Sequence, residues 1–106
     1  MATFEDIKFS KHSGFKGVHG TYTFENGITI CAIAGEYAQS IPKMNLSHHS
    51  QYRGFEVLVV DSHGNTILSD IIDGSPFILS NASPDEITEV MHIIEYSDRV
   101  MSNKKK

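Results

Sequence analysis

Residues 18 to 34 read V-H-G-T-Y-T-F-E-N-G-I-T-I-C-A-I-A, two alternating apolar runs on either side of Asn26-Gly27. This is the pattern of a β-hairpin. Its register follows from which pairing gives each strand one coherent face. A two-residue turn sets Phe24 opposite Thr29 and Tyr22 opposite Cys31, which mixes apolar and polar residues on both faces. A three-residue loop, Glu25-Asn26-Gly27 with Gly27 in a left-handed bulge position, sets Phe24 opposite Ile28, Tyr22 opposite Ile30 and Gly20 opposite Ala32. A one-residue slip exchanges the two faces of a strand, so only the second register gathers the apolar residues on one side. His19, Thr21, Thr23, Thr29 and Cys31 then share the other side.

Beyond the hairpin, residues 35 to 54 (G-E-Y-A-Q-S-I-P-K-M-N-L-S-H-H-S-Q-Y-R-G) show no sustained period. They read as one long connection, and ordered loops of that length tend to carry function. The run F-E-V-L-V-V-D that follows is apolar on both faces at its centre, which suits a strand covered on both sides. Asp61 to Asn65 turn the chain, and T-I-L-S-D-I-I is expected to return as the second arm of another hairpin. Phe77, Ile78 and Leu79 are expected to re-enter the core after the break at Asp73-Gly74-Ser75-Pro76. Ser83-Pro84-Asp85-Glu86 is a helix start. Ser83 caps, Pro84 suits the first helical position, and Glu86 completes a capping box at the positive end of the helix. Ile87, Val90, Met91 and Ile94 recur at helical spacing, and the helix is expected to fray near Ser102-Asn103. On the other side of the hairpin, Phe4, Ile7 and Phe9 mark a short N-terminal element followed by a Gly- and Lys-rich loop. The fold class is therefore α+β: an antiparallel sheet of two β-hairpins with one C-terminal amphipathic helix packed on it.

The 106 residues suit a single domain, placed at 1–103, with Lys104 to Lys106 as a basic disordered tail. Net charge is −4, but without those three lysines the body holds 6 basic against 13 acidic side chains, a net of −7. An acidic body repels phosphate backbones, so no direct, specific nucleic-acid binding is expected. Cys31 is the sole cysteine, the N-terminus shows no secretory pattern, and no apolar run nears a membrane span. The expected setting is the cytoplasm, with no membrane partner.

No catalytic or metal signature emerges. His12, His19, His48 and His49 lack the close paired spacing that seeds a zinc site, so neither a metal nor another cofactor is expected. Cys31 in a strand has no neighbouring cations to activate it. Asp61, Asp70 and Asp73 lack the dense order of a calcium loop. What stands out is the long loop. Its Tyr37, Ile41, Met44, Tyr52 and Arg53, with Leu46, match the composition of protein interfaces, and the first five are read as the partner-binding residues; the alternative is that half of them simply anchor the loop on the core.

Three segments, G-T-Y-T-F-E-N-G-I-T-I-C-A at 20 to 32, G-F-E-V-L-V-V-D-S-H-G-N at 54 to 65 and S-P-D-E-I-T-E-V-M at 83 to 91, together resemble small accessory proteins of tailed bacteriophages. The resemblance covers most of the chain and its motifs are structural. It implies a non-enzymatic, phage-encoded protein of the host-cell cytoplasm, similar to anti-CRISPR and other anti-defence inhibitors. Such a protein binds and inhibits or modulates a host protein or ribonucleoprotein complex, with its acidic body complementing a basic surface. Two other classes stay open. One is a small metal- or ligand-dependent enzyme or binding protein using His19, Cys31, His48 and His49. The other is a phage structural or assembly component.

Overall fold

The structure, a computed structural model, describes residues 2–12, 16–72 and 74–104. Five antiparallel strands lie in sequence order: β1 (Lys8–His12), β2 (Gly17–Thr23), β3 (Thr29–Gly35), β4 (Phe55–Val60) and β5 (Ile78–Ala82). One turn of helix, α1 (Leu68–Ile71), falls between β4 and β5, and a long helix, α2 (Pro84–Lys104), follows β5. The α+β class holds, with a five-stranded sheet in place of two hairpins.

The central hairpin takes the register its alternation demands. Tyr22 pairs with Ile30 and Gly20 with Ala32, and the Phe24 N–H donates to the Ile28 carbonyl at 2.8 Å. Gly27 sits at φ 89°, where an L side chain is strained. Phe24, Ile28 and Ile30 are buried and Tyr22 is half-buried on the same face. The helix begins as its capping box requires: the Glu86 N–H donates to Ser83 Oγ at 3.1 Å, and the Ser83 N–H to Glu86 Oε1 at 2.9 Å. Its Ile87, Val90, Met91 and Ile94 enter the cluster that also holds Ile30, Val57, Val59 and Phe55. The N-terminal segment is tied to the same helix, because the Phe4 N–H donates to Thr88 Oγ1 and the Ala2 N–H to Glu95 Oε1. No described helix is long and apolar enough to cross a membrane.

Three expectations are corrected. Residues 66 to 72 do not return as a strand. Only Thr66 bridges back to Val60, after which Leu68–Ile71 wind into helix. Ile67 and Ile71, like Leu68 and Ile72, are four apart, and Leu68 is fully buried, so the helical face wins over the strand pattern. The partner of β4 is instead β5, whose Leu79 packs inward while Phe77 and Ile78 are exposed, not returned to the core. The N-terminal element is a full edge strand, with Phe9 opposite Gly20. A Cβ on Gly20 would come within 2.7 Å of Ile7 and 2.8 Å of Phe9, so glycine is what lets these side chains lie across β2. At the other end, α2 continues past Ser102-Asn103 to Lys104. The remainder of the expected tail, Lys105-Lys106, lies outside the described residues, as do Ser13-Gly14-Phe15 and Asp73.

Candidate functional site

The segment from Glu36 to Gly54 leaves β3 and returns to β4 across the end of the core where α2 begins. Local chemistry ties it down at several points. Ser40, buried, accepts the Gly35 N–H and donates its hydroxyl hydrogen toward the Gly35 and Pro42 carbonyls. The Gln39 N–H donates to Glu56 Oε1 and the Asn81 N–H to the Gln39 carbonyl, which fastens the first half of the loop to β4 and β5. Ile41 and Gly54 form an isolated bridge, and the Arg53 N–H reaches the Ile41 carbonyl at 2.7 Å. In the second half, Gln51 Oε1 accepts the N–H groups of Ser47 and His48, and residues 49 to 51 close a 3-10 turn.

Tyr52 is an anchor as deeply buried as Ser40. It is 4% exposed, its ring lies 6.0 Å from that of Phe55, and its hydroxyl accepts the Leu46 N–H while donating to the Met44 carbonyl. Of the five residues expected to meet a partner, this one therefore supports the loop from beneath. The other four are exposed: Tyr37 by 69%, Met44 by 54%, Ile41 by 37%, and Arg53, whose backbone is paired with Ile41. The bridge brings Ile41 and Arg53 side by side, and the Tyr52 hydroxyl fixes the chain at Met44. The tied backbone holds these large side chains out toward solvent.

His49 anchors the far end. Its imidazole stacks on Phe9 with ring centroids 4.5 Å apart, and Phe9, Phe4 and Phe55 form a triangle of rings between 5.3 and 5.5 Å apart. Burial, with the His48 imidazole beside it, pushes the His49 pKa down, while Glu5 pulls the other way. Beside this stack, Phe9, Lys11, Val18, Ser47, His48 and His49 line an open concavity of about 250 Å³. The Lys11 ammonium is occupied there by Asn45 Oδ1 and the Leu46 carbonyl, so it fastens the loop to β1. The basic residues of the body are unevenly placed: Lys8, Lys11, Lys16, Lys43 and Arg53 all belong to β1, the turn after it or this loop, and only Arg99 lies elsewhere. The sequence shows that segregation only when residues far apart in the chain are known to meet.

The four residues of the enzymatic alternative do not converge. Cys31 pairs with Thr21 and His19 with Ile33, which sets both on the sheet face opposite α2, whereas His49 packs on Phe9 with His48 beside it at the loop. Burial raises the Cys31 thiol pKa, which keeps it protonated and poorly nucleophilic at neutral pH. Among the described residues no group of three or more His, Cys, Asp or Glu side chains is placed to hold a metal ion. Asp61 accepts the N–H groups of His63 and Asn65, and these bonds hold its carboxyl below its ordinary value, as a turn aspartate requires. No protein family, curated protein or solved structure matches the chain. The class that fold and loop define is a small α+β domain displaying a tethered, partly apolar loop at one end of its sheet.

Proposed function

We propose that this protein is a non-enzymatic binding protein that docks on a host macromolecular complex through the Glu36 to Gly54 loop, with Tyr37, Ile41, Met44 and Arg53 as the contact residues. One observation carries the reading: the loop is fixed at both halves by buried Ser40 and Tyr52, yet presents those large side chains outward. Such an arrangement loses little conformational entropy on binding. Aromatic, Met and Arg side chains are also the types that dominate interface energies. Lys43 and Arg53 lie within the patch, while Glu36 beside Tyr37 and the acidic body around it suit a partner whose surface is basic at the rim. The acidic remainder of the body disfavours a nucleic-acid backbone as the direct contact. The resemblance to phage accessory proteins supports a host defence complex as the target and inhibition by occlusion as the mode.

The test is affinity capture from bacterial lysate with wild-type protein and a Tyr37→Ala/Met44→Ala variant in parallel. Both side chains are exposed, so the variant should melt with the wild type while losing the partner that the wild type enriches. Loss of about 2 kcal/mol or more, roughly thirtyfold in affinity, is expected for a central pair. Equal enrichment by both proteins places the binding surface elsewhere.

A further inference from the structure

The helices α1 and α2 bury Leu68, Ile87, Val90, Met91 and Ile94 against one face of the sheet, and among the described residues no helix covers the other. That outer face is not patterned for water. Cys31 and Ile33 on β3, Leu58 and Val60 on β4 and Ile78 on β5 form a contiguous apolar strip, and Ile78 is 41% exposed. Toward the other edge the strip gives way to His19, Thr21 and Thr23 on β2 and Lys8 on β1. An antiparallel sheet with one wet face ordinarily alternates apolar with polar along each strand. β4 instead alternates one apolar row with another, interrupted only by Glu56.

We propose that a second copy of this chain covers the outer face, the two sheets stacking about a two-fold axis that runs along β3. The cross-strand rows make the face self-complementary about that axis. Because β3 is the central strand, the rotation lays β2 of one copy over β4 of the other and keeps each row in place. In the row His19–Ile33–Glu56, Ile33 then meets its own counterpart and each Glu56 meets the opposite His19. In the row Lys8–Thr21–Cys31–Leu58–Ile78, Cys31 faces Cys31, Leu58 faces Thr21 and the Lys8 stem lies over Ile78. Glu56 already accepts the Gln39 N–H through Oε1, which holds its carboxylate in position. Aligned sheets pack about 10 Å apart and cross at about −30°, so the pairings hold along β3 and on its two neighbours and shift toward the edge strands.

Five strands about 4.8 Å apart and about six residues at about 3.3 Å each give a flat footprint on the order of 480 Å² per copy. Over the pair that is about 1,000 Å² before side-chain relief, the lower bound for a specific interface, so the dimer is expected to be of micromolar affinity.

Sedimentation equilibrium of the full chain from about 1 to several hundred µM tests this. The expected result is a mass rising from 11.8 kDa toward twice that value. Ile33→Glu should hold the protein at monomer mass across the range with an unchanged circular dichroism spectrum, and Tyr37→Ala should dimerise as the wild type does. Should Ile33→Glu fail to fold, the rate at which a maleimide labels Cys31 in the wild type provides the same test. It should fall several-fold between the dilute and concentrated ends. Monomer mass at every concentration, or a dimer that tolerates Ile33→Glu, or one that leaves Cys31 labelling unchanged, overturns the proposal. The Gln39–Glu56 bond brings the loop to the edge of this face, so the two readings are separated by variant: Ile33→Glu bears on the dimer alone and Tyr37→Ala on the loop alone.

Discussion

Replacing Tyr52 by Phe removes one hydroxyl and leaves the ring where it is, 6.0 Å from Phe55 in the core. The hydroxyl makes two hydrogen bonds, accepting from the Leu46 N–H at 2.9 Å and donating to the Met44 carbonyl. A hydrogen bond contributes about 0.5–1.5 kcal/mol net, and Met44 is exposed enough for water to replace part of the loss. The expected cost is about 1–2 kcal/mol, which for a domain of this size lowers the melting temperature by roughly 5–12 °C if the loop unfolds with the rest. If the loop opens locally, the melting temperature moves less and the cost appears in amide exchange. The Leu46 N–H should then exchange roughly five- to thirtyfold faster, since about 1.4 kcal/mol is a factor of ten. Thermal denaturation and hydrogen exchange resolved at residues 44 to 48 distinguish the two. A variant that matches wild type in both would refute the claim that this hydroxyl holds the loop.

Ser83→Ala should cost about 1 kcal/mol through loss of the cap on α2, read from denaturant midpoints. Ile94→Ala, at a fully buried site, should cost roughly 2–5 kcal/mol by the same measurement. The depressed His49 pKa gives a signed pH effect. The folded loop holds a neutral imidazole, the unfolded chain takes up a proton near its ordinary value of about 6.5, and the loop's contribution to stability is therefore lost as pH falls below that value. Protection of residues 45 to 51, corrected for the intrinsic pH dependence of amide exchange, should fall between pH 7 and 5, and His49→Phe, which preserves an aromatic stack on Phe9, should flatten that response.

The central hairpin and α2 were legible because each is specified twice in its own sequence. Only one register of residues 18 to 34 separates apolar from polar faces, and Ser83 with Glu86 names a helix start that the Ile87–Ile94 stripe then confirms. The segment from Thr66 to Ile72 is specified by neither device. Its short apolar run satisfies both periods, and burial of Leu68 against the core decided for helix. Phe77 and Ile78 look like core residues in sequence, but the bulge between β4 and β5 and the parity of β5 turn Ile78 to the outer face beside Leu58. Within the loop, composition marks Tyr37 and Tyr52 alike. Only the tertiary position of Phe55 separates them, leaving one ring in solvent and drawing the other beneath the chain.

The central claim, that a tethered loop is the docking surface, is tested most directly by a hydrogen-exchange footprint of this protein in complex with the partner that it captures. The account predicts protection concentrated in residues 36 to 54, together with retention of the complex by Ile33→Glu and its loss in Tyr37→Ala/Met44→Ala. Protection confined to the outer face of β3 and β4 or to α2, with the loop exchanging as in the free protein, would contradict it.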